Sequence, residues 1–199
     1  MAGGRMASAG RWWDAGMRQL LKPHPDSHSG PATRIDVDIT QRVDSVQLSY
    51  IVAGRMDEIR IPSVTAAARV AELWQHTCFE AFFRASSDDE YYEFNFSPST
   101  QWAAYRFSSY RGGMQVATEI GAPPIEVRSG PGSFVLKTVV EFGSLWRLSR
   151  KVSWRLGLSA LIEDTSGHKS HWALAHPPGR PDFHHAACFA LEFSPTVQP

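Results

Sequence analysis

The sequence predicts an antiparallel two-sheet β-sandwich with little helix, and three observations lead to this fold class. Apolar and polar residues alternate with a period of two in many short segments, which is typical of half-buried strands. Turn-forming residues separate these segments at short intervals, as in sandwiches and barrels. Aromatic residues are abundant, with 7 Trp, 11 Phe and 5 Tyr, and they are favoured in strands and in sheet cores.

The first clear alternation lies after position 33. Ile35, Val37 and Ile39 alternate with acidic residues, and the stretch from Val46 to Val52 repeats the pattern. Further strands are predicted at residues 76–84, 91–96, 102–109, 125–128, 134–142, 152–162, 168–174 and 188–193. Inside 152–162 we expect Trp154, Leu156, Leu158, Ala160 and Ile162 to form a row that faces the core.

The segments between these strands contain the residues that turns require. Gly130-Pro131-Gly132 and residues 164–167 predict two tight hairpins. Residues 63–74 are richer in Ala and Arg, so a helical turn is expected there. Residues 143–150 are predicted to form a brief helix or a wide loop.

A chain of 199 residues suits one domain with a sizeable core. We predict a peripheral segment at 1–32, the sandwich at 33–193 and a tail at 194–199. The first boundary follows a group of proline and glycine residues, namely Pro23, Pro25, Gly30 and Pro31. Upstream of it, Trp12, Met17, Leu20 and Leu21 suggest a short helix that docks on the body.

Charge and composition exclude several classes of partner. Twenty basic and twenty acidic residues give a formal net charge of zero, whereas binding of a nucleic-acid backbone needs a basic patch. We find no apolar run long enough to cross a bilayer. Trp12-Trp13-Asp14 interrupts any apolar segment of a signal peptide, so we expect a soluble, cytoplasmic protein.

The two cysteines, Cys78 and Cys188, lie in apolar segments and are expected to be buried thiols. The sequence leaves open whether they pair. No cysteine or histidine spacing matches a zinc site. His168 and His171 would lie on opposite faces of a strand, so we predict structural rather than metal-binding histidines in the last third of the chain.

Several motifs together resemble the bacterial DOMON-like domain proteins, which are related to the family-9 carbohydrate-binding modules. The motifs are Leu73-Trp74, Thr77-Cys78-Phe79-Glu80, Tyr91-Tyr92-Glu93-Phe94-Asn95-Phe96-Ser97-Pro98, Trp102-Ala103-Ala104-Tyr105, Trp172-Ala173-Leu174, His176-Pro177 and Pro181-Asp182-Phe183-His184-His185. They extend over nearly the whole of 33–193. The resemblance implies a β-sandwich, and its better-understood relatives bind sugars or haem b. His171 departs from the pattern, which has Tyr there.

Strand alternation indicates one sheet face as a ligand site. We predict that this face carries six residues, Glu80, Glu93, Asn95, Trp102, Arg106 and Arg155, beside the small residues Gly157 and Ser159. Carboxylate, amide, guanidinium and indole groups suit a ligand rich in hydroxyl groups. The structural alternative is a solvated face with ion pairs such as Glu93 with Arg106.

The favoured hypothesis is therefore a non-catalytic domain that binds a small, carbohydrate-like ligand, without a metal or a cofactor. A haem-binding redox module is the alternative, with Met114 opposite His76 or His176 as axial ligands. A structural or interaction domain with no small ligand is the third. Glu80 and Glu93 would suit glycoside hydrolysis if one acted as acid and the other as nucleophile, but nothing in the sequence assigns these roles.

Overall fold

The computed structural model describes residues 15–27, 29–42, 44–142 and 153–193, and within them the chain is all-β. The strands are β1 Ala15–Pro23, β2 Ala32–Gln41, β3 Ser45–Gly54, β4 Cys78–Ala85, β5 Tyr91–Phe96, β6 Trp102–Phe107, β7 Gln115–Val116, β8 Ile125–Gly130, β9 Ser133–Glu141, β10 Trp154–Glu163, β11 Lys169–Ala173 and β12 Leu191–Phe193. Short 3-10 turns occur at Met56–Glu58, Leu73–Gln75 and Ala186–Cys188. The predicted fold class is confirmed.

All strand pairs are antiparallel, and the strands form two facing layers that one strand connects. Sheet A has the order β1-β2-β3-β9-β8, and sheet B has the order β7-β6-β5-β4-β10-β11, with β12 also paired to β10. Strand β1 pairs with β2 through residues 15–21 and with β11 through Lys22 and Pro23. The layers are therefore joined at this edge.

The position of β1 corrects the prediction for the N-terminal segment. Residues 15–23 form a strand of the sheet rather than the short helix that we expected. Met17 lies opposite Ile39 and Leu21 opposite Ile35, so the apolar side chains point inward with a period of two. The sheet thus includes residues before position 33. Trp12 lies outside the described residues.

The core lies between the inner faces of the two sheets. Sheet A contributes alternate residues of β2, β3 and β9, and sheet B contributes those of β4, β5 and β10. The row of β10 predicted to face the core is buried throughout. The Tyr50 hydroxyl donates a hydrogen bond to the backbone oxygen of Glu80 at 2.7 Å, which links the sheets across the core.

Most predicted strands are found, and the exceptions have local causes. Residues 63–74 are extended instead of helical, because the chain pairs in parallel with β6: Val70 N donates to Trp102 O, and Trp102 N donates to Ala68 O. Only Leu73–Gln75 makes a 3-10 turn. The last strand is shorter than predicted, since Cys188 belongs to a 3-10 turn. Residues 143–150 lie outside the described part of the chain.

Both hairpins predicted from turn residues are present, one between β8 and β9 and one between β10 and β11. The second contains Gly167 with a φ of 87°, a conformation that favours glycine. Across the described ranges, no helix has the length and apolar character needed to cross a membrane.

After β11 the chain crosses the outer face of sheet B, and we call residues 175–190 the covering loop. His184 and Phe189 of this loop pack against Phe82 of β4, with ring centroids 5.2 and 6.2 Å away. Gly157 of β10 allows the close approach, because a Cβ there would lie 3.0 Å from the backbone oxygen of Cys188. The room that the sequence analysis assigned to a ligand is thus partly filled by the protein's own chain.

Replacing Gly157 with Ala is expected to displace the covering loop. The added methyl group meets backbone rather than a flexible side chain, so we expect a loss of roughly 1–3 kcal/mol in the free energy of unfolding. Proteolysis within residues 177–181 should also become faster. Gly16→Ala is the matched control, since its nearest neighbour would be 3.9 Å away. Equal stability and equal cleavage in both variants would contradict the packing described.

Candidate functional site

Strand register brings three of the predicted site residues together on the outer face of sheet B. Glu80 of β4 lies opposite Asn95 of β5, and Phe82 lies opposite Glu93. On the other side of β4, Ser159 of β10 lies opposite Glu80. Glu80, Glu93, Asn95 and Ser159 therefore share one face, as alternation predicted.

Trp102 and Arg106 lie on the other face of the sheet, which corrects the predicted grouping. Trp102 is opposite Phe96 and Arg106 is opposite Tyr92, so both belong to the inward row of β6. Trp102 is 4% exposed, and the guanidinium of Arg69 lies 4.0 Å from its ring centroid. Arg106 donates a hydrogen bond to Gln115 Oε1 at 2.9 Å. Neither side chain reaches Glu80 or Glu93 across the sheet.

Arg155 is on the predicted face but is distant from the glutamates. It lies opposite Arg84 and pairs with Glu192, whose Oε2 is 3.3 Å from its guanidinium. Four residues separate it from Ser159 along β10, which is roughly 13 Å at the usual rise of a strand. The predicted ion pair between Glu93 and Arg106 does not form, since the two side chains point to opposite faces.

The two glutamates are buried and partly hydrogen-bonded. Ser159 Oγ donates to Glu80 Oε2 at 2.8 Å, and Asn95 Nδ2 donates to Glu93 Oε1 at 2.7 Å. The thiol of Cys78 is 3.7 Å from Asn95 Oδ1. Glu80 is 4% exposed and Glu93 is 6% exposed, so these five side chains form a polar cluster in the sheet face.

His184 of the covering loop completes the cluster, and the sequence did not single it out. Tyr91 Oη accepts a hydrogen bond from Arg111 N at 3.2 Å and lies 2.8 Å from His184 Nδ1. Tyr91 can therefore donate its own proton to Nδ1, which leaves the ring proton on Nε2. Nε2 lies 3.7 Å from Glu93 Oε2. Burial, followed by the nearby charge of Arg111, lowers the pKa of His184 to about 4, so the ring is neutral at neutral pH.

Arg111 fastens the covering loop at the rim of the site. Its Nη2 and Nε atoms lie 2.7 and 3.1 Å from Asp182 Oδ1, and Tyr110 donates its hydroxyl to the same carboxylate. Arg111 is thus neutralised by Asp182 and only partly compensates the two glutamates. No local motif in the sequence connects residues 71 positions apart, so this pair could not be predicted.

The electrostatics of the cluster favour protonated carboxyl groups. Burial raises the pKa of Glu80 above its ordinary range, the charge of Glu93 adds to this, and the Ser159 hydrogen bond and Arg111 oppose it. Burial also raises the pKa of Glu93, against the hydrogen bond from Asn95 and the charge of Arg111. The pair therefore retains a proton at a higher pH than exposed glutamates do. Such a group offers both donors and acceptors to a ligand.

Aromatic side chains surround the polar cluster. Phe82, Tyr91, Phe107 and Phe189 form a second apolar cluster, separate from the main core, against which Tyr105 and Phe183 pack. Trp74 lies in the 3-10 turn that contacts β4 and β5, and it is 49% exposed. Burial and the nearby charge of Glu93 raise the pKa of Tyr105, whose hydroxyl is hydrogen-bonded to the backbone of Glu72. The turn that carries Trp74 thus borders the site.

The histidines and Met114 considered as haem ligands lie on separate elements. Met114 is exposed just before β7. His76 Nδ1 is 2.7 Å from Glu163 Oε2, and His176 Nε2 is 2.8 Å from the backbone oxygen of Lys22. No set of three His, Cys, Asp or Glu side chains among the described residues is placed to hold a metal ion. Cys78 and Cys188 are free thiols.

The raised pKa of Glu80 predicts a pH dependence of stability. Because the folded protein retains a proton that the unfolded chain releases, the free energy of unfolding should decrease as pH rises above the ordinary carboxyl range. Glu80→Gln removes the titration, so the variant should gain on the order of 1–3 kcal/mol relative to wild type between about pH 5 and pH 8. Urea unfolding at several pH values measures this difference.

The matched control for this measurement is Glu58→Gln, because Glu58 is exposed and paired with Arg55 at 2.5 Å. Its difference from wild type should stay constant over the same pH interval. A constant difference for Glu80→Gln as well would show that Glu80 titrates normally.

Comparison with known proteins adds a likeness of fold. No protein-family model matches the chain, and no curated protein matches it. Among solved structures, the chain is similar to the crystal structure of a "putative carbohydrate-binding protein" from Bacteroides uniformis ATCC 8492, with a TM-score of 0.61 and 15% sequence identity. The match covers 86% of this chain and 83% of that one. It shows a shared all-β fold over most of both chains.

Proposed function

We propose that this protein is a non-catalytic binding domain that recognises a carbohydrate-like ligand on the outer face of sheet B. The site lies between the 3-10 turn of Trp74 and the covering loop, above Glu80, Glu93 and Asn95. The similar structure from Bacteroides uniformis is described as carbohydrate-binding, which supports a ligand of this class. The DOMON-like resemblance of the motifs points in the same direction.

The observation that carries the proposal is the buried polar cluster inside an aromatic surround. Burying carboxyl groups costs free energy unless their hydrogen bonds are satisfied. Glu80 and Glu93 receive one hydrogen bond each from Ser159 and Asn95, which leaves acceptor capacity unused. Sugar hydroxyl groups both donate and accept, so they can complete this network, and the aromatic rings suit the apolar face of a sugar.

Entry of the ligand requires the covering loop to move. The loop contains Pro177, Pro178, Gly179 and Pro181, and its outer segment, from Pro178 to Arg180, is exposed. Its contact with the rim is the Arg111–Asp182 ion pair, and an ion pair that remains partly exposed is weak. The loop can therefore open at this rim while the sheet below it keeps its register.

Trp74 is the stacking residue of the proposed site. The sequence analysis assigned this role to Trp102, whose ring is covered by Arg69. Trp74 instead exposes about half of its surface beside β4 and β5. Of the six residues predicted from sequence, we retain Glu80, Glu93 and Asn95 as ligand contacts and add Trp74 and His184.

Titration against a panel of mono- and oligosaccharides, followed by calorimetry and Trp fluorescence, tests the proposal. Glu93→Gln should weaken binding at least roughly tenfold, because a charge-assisted hydrogen bond is worth about 1.5–3 kcal/mol. Trp74→Ala should weaken binding and reduce the fluorescence change. Arg155→Ala is the control and should bind like wild type.

Two outcomes would contradict the proposal. Absence of binding by every sugar, or unchanged affinity in both Glu93→Gln and Trp74→Ala, would remove the assigned site. Turnover of aryl glycosides that is lost in Glu80→Gln would replace the binding role with a hydrolytic one.

A further inference from the structure

We propose that the ligand group seated at Glu80 and Glu93 is an ammonium group, so that the site selects amino sugars over neutral and acidic ones. This inference rests on the proposed function and names the ligand class more closely. Three independent features of the cluster support it: its uncompensated charge, an unpartnered carboxyl oxygen and the surrounding aromatic rings.

The charges around the two glutamates do not balance. Arg111 is the cation that acts on both carboxyl groups, but Asp182 holds its guanidinium at 2.7 Å. His184 contributes no charge, because its Nδ1 accepts from Tyr91 and burial keeps the ring neutral. With both glutamates ionised, the site carries an excess of negative charge that a cationic ligand would neutralise.

One oxygen of Glu80 is unsatisfied although the side chain is buried. Oε2 accepts from Ser159, whereas Oε1 accepts no hydrogen bond from any described residue. Glu80 is only 4% exposed, so bulk water does not solvate this carboxyl group freely. An ammonium group supplies three donors, enough to reach this oxygen, Glu93 Oε2 and a backbone oxygen.

The aromatic rings around the glutamates suit a cation. Tyr91 and Phe107 stack with centroids 4.8 Å apart, and Phe189 lies 5.6 Å from Tyr91. The ring of Phe189 already accepts a cation on one face, since the guanidinium carbon of Arg84 is 4.7 Å from its centroid. Rings combined with carboxylates are a recurring solution for binding organic ammonium groups.

The test compares ligands that differ only in charge: glucose, glucosamine, a trimethylammonium derivative of glucosamine whose charge does not titrate, and glucuronic acid. The expected result is at least roughly tenfold tighter binding of the two cationic sugars than of glucose, with glucuronic acid weakest. Glu80→Gln should reduce the ratio of cationic to neutral affinity towards one. Glu58→Gln, at an exposed position, should leave the ratio as in wild type.

A second measurement keeps the inference testable if Glu80→Gln fails to fold. In wild-type protein, the trimethylammonium sugar should displace a proton from the glutamate pair, and calorimetry in buffers of different ionisation enthalpy detects this release. Binding without proton release at neutral pH would contradict the inference.

The remaining outcomes separate this inference from the proposed function. Equal binding of glucose and the cationic sugars would overturn the ammonium inference and leave the carbohydrate site intact. Choline that binds as tightly as the cationic sugars would uphold ammonium recognition and overturn the role of the sugar. Absence of binding by all of these ligands would remove both.

Discussion

The antiparallel pairing of β10 with its neighbours is the constraint on which the rest of the structure depends. β10 is hydrogen-bonded to β4 on one side and to β11 and β12 on the other. Its inward row from Trp154 to Ile162 fills the core, and its outward row brings Gly157 under the covering loop and Ser159 to Glu80. A slip of one residue would exchange these rows, so one register determines both the core and the site.

The outer face of sheet B combines features that stability alone does not favour. Two buried glutamates with raised pKa values reduce the free energy of unfolding at neutral pH, whereas the aromatic cluster around Phe82 and Phe189 increases it. The covering loop shields this face with apolar contacts and one ion pair at its rim. The balance allows a polar, ligand-competent surface to remain dry until the loop moves.

The sequence predicted strands well and the composition of the site only in part. Period-two alternation located Glu80, Glu93 and Asn95 on common faces of their strands, and the register confirms this grouping. Alternation within β6 could not decide which of its two rows joins them, because that depends on the turn before Trp102. Trp102 and Arg106 were therefore assigned to the wrong face. β1 was predicted as a peripheral helix, since Met17, Leu20 and Leu21 fit a helical spacing as well as a strand.

By itself, the sequence determined the fold class, the hairpins and the two buried glutamates of the site, because alternation and turn chemistry act over a few residues. Only the tertiary structure decided how β1 joins the two sheets and how the covering loop brings His184 to Glu93 and Asp182 to Arg111. These contacts connect residues some 70 to 90 positions apart. They follow from the packing of the C-terminal segment on the sheet, for which no local pattern exists.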